Sequence, residues 1–243
     1  MKIGGLQKLS LLDYPDYPSA IVFTQGCNFR CQFCYNPMLV WPYGGGKFKK
    51  DHCLLEENDL FDFLKSRVGK LEGVVITGGE PTIHKDLPEL IKKIKALGFK
   101  IKLDTNGTNP KMLAKFLTAP LIRKGGRAID YIAMDLKAPL EKYEEIAGAP
   151  ADLKKIKESI KIILASDLPH EFRTTVIPDF ITKNDILKMG ELIMGADKWF
   201  LQFFKSDLDL VNEKLRGKKP YAEKKMEEMA RIGKKFAKKC QIR

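Results

Sequence analysis

Cys27, Cys31 and Cys34 are the residues of this chain best suited to chemistry. They lie in Gln25-Gly26-Cys27-Asn28-Phe29-Arg30-Cys31-Gln32-Phe33-Cys34-Tyr35-Asn36, a C-x3-C-x2-C spacing just past the apolar run Ala20-Ile21-Val22-Phe23. A loop this short can wrap three thiolates around one metal centre. A structural zinc site wants four ligands, and no suitable fourth is near in the sequence. An ordinary cubane iron–sulfur cluster also takes four cysteines. Three thiolates on a cubane leave one iron with no protein ligand, open to a substrate or cofactor. Three structural thiols, or a small zinc knot, are the plainer alternative.

The elements that must position these thiols read as alternating strands and helices. Candidate strands are Ala20–Thr24, Gly73–Thr77, Lys100–Asp104, Tyr131–Leu136, Glu171–Ile177 and Trp199–Phe204, short and bounded by Gly, Pro or charge. Leu87, Leu90, Ile91, Ile94 and Leu97 share one helical face, as do Leu153, Ile156, Ile160, Ile163 and Leu164. Leu60, Leu64 and Val68 mark a further helix, and Ala222, Met226, Met229, Gly233 and Phe236 another. Repeated β-then-α units imply a parallel sheet with right-handed crossovers. The expected fold class is α/β, a partial (β/α)6 barrel, with ligands at the C-terminal ends of the strands. The expected organisation is one domain over 1–243, with a core at about 18–205 and a helical extension at about 206–243.

Composition sets outer bounds. The chain has 243 residues, 44% hydrophobic, enough for a full core. Five cysteines, three of them in one short motif, argue against a disulfide framework. No signal peptide opens the chain and no apolar run reaches membrane length, so a reduced, cytoplasmic protein is expected, with no membrane partner. The net charge of +12 fits nucleic acid, a nucleotide-rich partner or an acidic protein surface, with a Lys/Glu-rich solvated surface as the plainer reading. Acidic residues break up the basic stretch from Lys214 to Lys239 and aromatics are sparse there, so a nucleic-acid partner is not expected. Gly44-Gly45-Gly46-Lys47-Phe48 lacks the spacing and the Ser/Thr of a phosphate loop. Cys53 has no cysteine partners nearby, and one cluster is expected.

Four further groupings fall at successive strand ends. Thr77-Gly78-Gly79-Glu80-Pro81 offers two glycines that let backbone amides and carbonyls approach a ligand closely, and a carboxylate; a plain tight turn is the alternative. Leu103-Asp104-Thr105-Asn106-Gly107 carries short oxygen-bearing side chains suited to ribose hydroxyls or a hard cation, with Asn106 and Gly107 equally able to form the turn. Asp135 and Lys137 project from one face of a strand, as a functional pair or a surface ion pair. Arg173 lies within an apolar strand, where its charge calls for a carboxylate partner unless it faces solvent.

Together these motifs strongly resemble the radical S-adenosylmethionine (SAM) enzymes. The resemblance implies that Cys27, Cys31 and Cys34 hold a [4Fe-4S] cluster whose fourth iron is chelated by SAM. It implies that Gly78, Gly79 and Glu80 contact the SAM amino group, and that Asp104 and Thr105 hold a monovalent cation beside the SAM carboxylate. Asn106 is grouped with them. It places Asp135 and Lys137 near SAM and a peptide substrate, Arg173 near the SAM carboxylate, and Phe33 against the adenine, with Tyr35 and Asn36 adding contacts. Lys205, in Gln202-Phe203-Phe204-Lys205, stands where relatives that activate pyruvate formate-lyase have a histidine, and is grouped with the residues expected to contact SAM.

In its N-terminal motifs Leu9-Ser10-Leu11-Leu12-Asp13-Tyr14-Pro15, Val22-Phe23-Thr24-Gln25-Gly26-Cys27 and Cys34-Tyr35-Asn36-Pro37, and from about Leu6 through Pro178, the chain resembles the activating proteins of anaerobic ribonucleoside-triphosphate reductase. That resemblance implies hydrogen abstraction from a glycine of a partner glycyl radical enzyme, with a flavodoxin or ferredoxin-like electron donor. No side chain is expected to act as a catalytic acid or base. Two alternatives stand beside it: a radical SAM enzyme acting on a small molecule or RNA nucleoside, and a non-enzymatic metal- or nucleic-acid-binding module.

Overall fold

The computed structural model describes residues 1–40, 54–118 and 127–243. Cys53 and Gly44-Gly45-Gly46-Lys47-Phe48 lie outside the described residues. The first half of the chain runs β1 (Ile3–Ser10), β2 (Ser19–Thr24), α1 (Pro37–Val40), α2 (Glu57–Lys65), β3 (Gly73–Gly78), α3 (Leu87–Ala96), β4 (Lys100–Thr105) and α4 (Pro110–Thr118). The second runs β5 (Tyr131–Asp135), α5 (Tyr143–Ala147), α6 (Leu153–Leu164), β6 (His170–Val176), α7 (Lys183–Leu192), β7 (Ala196–Phe203), α8 (Glu223–Gly233) and β8 (Ala237–Ile242).

The strand order is β1 through β8. Strand β1 is antiparallel to β2, while the pairs β2/β3, β3/β4, β6/β7 and β7/β8 are parallel. The six expected strands are β2 to β7. Two more were not anticipated. Strand β1 contains two adjacent glycines that hide its pattern, and β8 (AKKCQI) buries only Ala237 and Cys240 among charged and polar residues. The stretch expected to be a helical extension therefore closes with a strand parallel to β7. Helix α2 ends at Lys65, so Val68 lies outside it and is 52% exposed.

The described residues divide into two compact units. The first comprises Met1–Asn28, Met38–Thr105 and Lys111–Ile132. Its strands β2, β3 and β4 are buried along most of their length, as expected for parallel strands covered on both faces. Tyr14, Ile21, Val75 and Tyr131 form one core cluster. Helix α3 seals a face with Leu87, Leu90, Ile91 and Ile94.

The second unit comprises Phe29–Pro37, Asn106–Pro110 and Ala133–Arg243. Trp199, fully buried on β7, donates from Nε1 to Thr174 Oγ1 at 3.0 Å, and Thr174 donates to the Leu136 carbonyl at 2.9 Å. This relay ties β7 and β6 to the residue that follows β5. Helix α6 starts at Asp152, whose carboxylate accepts from the Lys154 and Lys155 amides, and it buries Ile156, Ile160 and Ile163. Helix α7 opens on a capping box between Thr182 and Asp185. Among the described residues no helix is long and apolar enough to cross a membrane.

Candidate functional site

Cys27 belongs to the first unit, and Cys31 and Cys34 to the second. In the first unit, the amides of Gly26 and Cys27 donate to the carbonyls of Leu39 (2.7 Å) and Val40 (3.0 Å), and Gln25 Nε2 donates to Met38 (2.8 Å). The Gly79 and Glu80 amides donate to Thr24 and Gly26, each at 2.9 Å. A Cβ on Gly79 would lie 2.0 Å from the Gly26 carbonyl oxygen, and one on Gly78, at φ +113°, would lie 2.3 Å from the Thr24 nitrogen. Both glycines are thus required by the chain's own close approach. They pin the backbone just ahead of Cys27.

Glu80 is 1% exposed. Its Oε1 accepts from the Thr82 amide (3.0 Å), the Thr82 hydroxyl (2.5 Å) and the Thr105 hydroxyl (2.7 Å). The carboxylate caps the turn Pro81–Ile83 and fastens the end of β3 to the end of β4. Asp104, 8% exposed, has Oδ1 3.6 Å from Lys102 Nζ. Lys102 is itself buried, donates to the Asp13 carbonyl and stands 5.5 Å from the centre of the Tyr131 ring. This buried lysine escaped sequence analysis, although its i, i+2 spacing to Asp104 on a strand could have revealed it. An ammonium group already stands beside the carboxylate for which an external cation was expected.

The second unit gathers more of the expected residues. Asp135 accepts from Lys137 Nζ on Oδ2 (2.9 Å) and from Arg173 Nε on Oδ1 (2.8 Å). Burial alone would push the Asp135 carboxyl upward, but Arg173 and Lys137 hold it well below the usual carboxylate range. Burial works against the charge on Lys137, and Asp135, followed by Cys31, keeps its ammonium above the ordinary lysine range. Arg173 therefore has the carboxylate partner its apolar strand required, and the surface ion-pair reading of Asp135 and Lys137 does not apply. Lys137 Nζ also lies 5.5 Å from the centre of the buried Phe33 ring.

Cys31 is buried, and burial raises its thiol to about 11, with Lys137 pulling the other way. The amide of Cys34 donates to the Cys31 carbonyl at 3.0 Å. Helix α5 is the support for this half of the loop. Its Ala147 and Ile146 carbonyls accept from the Arg30 (2.8 Å) and Gln32 (3.2 Å) amides, and Gln32 Nε2 reaches the Glu145 carbonyl. Gly148, at φ +62°, lets the helix end approach Arg30; a Cβ there would lie 2.1 Å from the Arg30 oxygen. From the other side, the Val211 and Asn212 amides donate to the Cys34 (2.9 Å) and Gln32 (3.0 Å) carbonyls. Gly148 and Asn212 gave no sequence signal, because a five-residue helix shows no periodicity and the Asn212 partner is 180 positions away.

The remaining expected residues are peripheral to these networks. Asn106 Oδ1 accepts from the Thr108 amide and hydroxyl, which is turn formation, and Ser159 Oγ holds the Gly107 carbonyl at 2.6 Å. Tyr35 is 46% exposed with Lys205 Nζ 5.9 Å from its ring centre, and Lys205 is exposed. Asn36 is half-buried.

The donor set fits an iron–sulfur cluster. Of the charged side chains that act on the Cys31 thiol, the Lys137 ammonium favours the thiolate and Asp135 opposes it. Metal binding removes the thiol proton and so offsets the burial that holds it on. Among the described residues no three His, Cys, Asp or Glu side chains are gathered tightly enough to hold a single metal ion. A cluster spreads its thiolates over separate irons.

Known proteins point the same way. A family model described as "Radical SAM superfamily" matches residues 21–193. The chain is 31% identical, over 99% of its length and 95% of the relative's, to a protein of Methanocaldococcus jannaschii named "Putative glycyl-radical enzyme activating enzyme MJ1227". It is 29% identical to a second protein of that organism with the same description, MJ1632, over 91% of this chain and 78% of the other. Among solved structures, Streptococcus suis SuiB bound to S-adenosylmethionine matches with a TM-score of 0.61 at 16% identity, over 92% of this chain. The chain spans about half the length of SuiB, 49%, and this likeness bears on the fold alone.

Proposed function

The chain belongs to the radical SAM superfamily, and from that premise we propose that it is a glycyl-radical-enzyme activase. The observation that carries this reading is the end-to-end match, at 31% identity, to a relative named for that activity. The proposed partner is a glycyl radical enzyme, specifically an anaerobic ribonucleoside-triphosphate reductase, on the likeness of the N-terminal motifs. A flavodoxin or ferredoxin-like protein is the proposed electron donor, and the cytoplasm the proposed location.

Cys27, Cys31 and Cys34 would hold the [4Fe-4S] cluster. When bound, cluster and SAM together supply the electron and the 5′-deoxyadenosyl group that takes a hydrogen atom from the partner's glycine. The rest of the work falls to this chain's own residues. The Gly78–Gly79 turn and helix α5 fix the two halves of the cysteine loop in place before any ligand arrives. Arg173 and Lys137 present positive charge where a SAM carboxylate would bind, already oriented by Asp135. Phe33 offers an apolar face for the adenine. Glu80 would act on SAM through the turn it braces, since Oε1 is committed to Thr82 and Thr105. Lys102 would take the role expected of a monovalent cation at Asp104. No step needs a side chain to act as general acid or base.

The test is anaerobic reconstitution with iron and sulfide, addition of dithionite and SAM, and measurement of 5′-deoxyadenosine. Product formation that Cys27→Ala abolishes is the expected result. Adding the partner reductase should then yield a glycyl-radical EPR doublet. A modified nucleotide or nucleoside formed with no partner protein would replace this reading with small-molecule or RNA chemistry.

A further inference from the structure

We propose that the loop from Ser206 to Gly217 is a clasp that holds Cys34 in its ligating position, with Asn212 as the positioning residue, and that it slows loss of the cluster. The proposal rests on the cluster part of the reading above and is independent of the partner.

The loop is built as a unit. The Gly217 amide donates to the Ser206 carbonyl at 2.9 Å, so the two ends of the segment meet, with Gly217 at φ +74°. Leu210 and Leu215 are buried, while Asp207, Asp209, Lys214 and Arg216 are exposed. Val211 and Asn212, between the two buried leucines, carry the amides that donate to the Cys34 and Gln32 carbonyls, at 2.9 and 3.0 Å. The Cys34 amide donates locally, to Cys31; from outside the motif, Val211 holds its carbonyl.

Asn212 uses one side chain twice. Its Oδ1 accepts from the Lys214 amide at 3.1 Å and caps the turn Glu213–Leu215. Its Nδ2 donates to Gln32 Oε1 at 2.9 Å, and Gln32 Nε2 donates to the Glu145 carbonyl at 2.6 Å. The Lys214 N–H can only donate and the Glu145 carbonyl can only accept, so both side-chain amides are fixed in orientation. The result is a directed chain of hydrogen bonds from the loop, through Gln32, to α5, all within the second unit. A ligand leaves a cluster when its backbone opens locally, and contacts of this kind set the free energy of that opening.

The experiment has two readouts on the full chain. The reduced, metal-free chain is alkylated under native conditions with iodoacetamide and read cysteine by cysteine by mass spectrometry. The reconstituted chain is followed for release of iron to a chelator. In Asn212→Ala the Cys34 alkylation rate and the iron release rate should each rise about tenfold, while Cys27 and Cys240 keep their wild-type alkylation rates. Asn212→Asp keeps the acceptor for Lys214 but loses the donor to Gln32. It should speed both processes in the same direction, which a role confined to capping the turn would not do. If Asn212→Ala fails to fold, or speeds all cysteines alike, Asn212→Asp decides alone. Wild-type rates at Cys34 in both variants overturn the clasp and leave the cluster reading intact. Faster alkylation with unchanged iron release overturns the effect on the cluster. A wild type that takes up no iron overturns the cluster reading, and the thiol rates still decide whether the loop holds Cys34.

Discussion

Two buried carboxylates, one in each unit, are stabilised by different means. Glu80 is held by a backbone amide and two hydroxyls, from Thr82 and Thr105. Asp135 is held by two cations, Lys137 and Arg173. The first arrangement fixes shape: it caps a turn and joins two strand ends. The second fixes charge: it keeps Asp135 ionised and sets the Lys137 ammonium among the groups that act on the Cys31 thiol. A residue type that looks alike in sequence, an acid at a strand end, thus serves geometry in one place and electrostatics in the other.

The largest test of this contrast is Asp135→Asn. Removing one member of a buried ion network leaves the others uncompensated, and the expected loss is about 3 kcal/mol by urea unfolding at neutral pH. The pH dependence follows from the same carboxylate. Its folded value is depressed, so its stabilisation is fully present above the unfolded value of about 3.9 and is lost as pH falls through the still lower folded value. The stability gap between wild type and Asp135→Asn should therefore be flat above roughly pH 5 and narrow in stronger acid. A gap that widened as pH fell would reverse the assignment.

Next in size are the two glycines that support the cysteine loop. Gly79→Ala sets a methyl against the Gly26 carbonyl, and Gly148→Ala sets one against Arg30 at a left-handed φ. Each should cost about 2 kcal/mol. Each should also lower iron content after reconstitution, by displacing Cys27 in the one case and Cys31 in the other. Normal iron uptake in either variant would mean that the loop does not depend on that support.

The smallest effect is expected at the shape-fixing carboxylate. Thr105→Val removes one hydroxyl donor from Glu80 and should cost about 1.5 kcal/mol, half of the Asp135 effect. Equal losses in Thr105→Val and Asp135→Asn, measured in the same denaturant series, would erase the distinction between the two regions.

Much of this was legible from residues alone. The C-x3-C-x2-C spacing, the apolar runs of β2 to β7 and the stripes of α3 and α6 are local patterns, set by covalent spacing and by the periods of strand and helix. Arg173 announced itself as a charge needing a carboxylate, but not which one. Strands β1 and β8 were missed because their pairing, not their own pattern, makes them strands. Gly78 and Gly79 were read as room for a ligand, and in the fold that room is filled by Thr24 and Gly26.

The amino-acid sequence by itself determined the cysteine spacing, the β/α alternation and the family, since each depends on neighbours within a few positions. Only the tertiary structure decided that Asp135 pairs with Arg173 across 38 positions, that Thr105 meets Glu80 across 25, and that α5 carbonyls accept from Arg30 and Gln32 on either side of Cys31. Contacts of that range cost chain entropy and have no sequence period. They appear only when packing brings distant strand ends together.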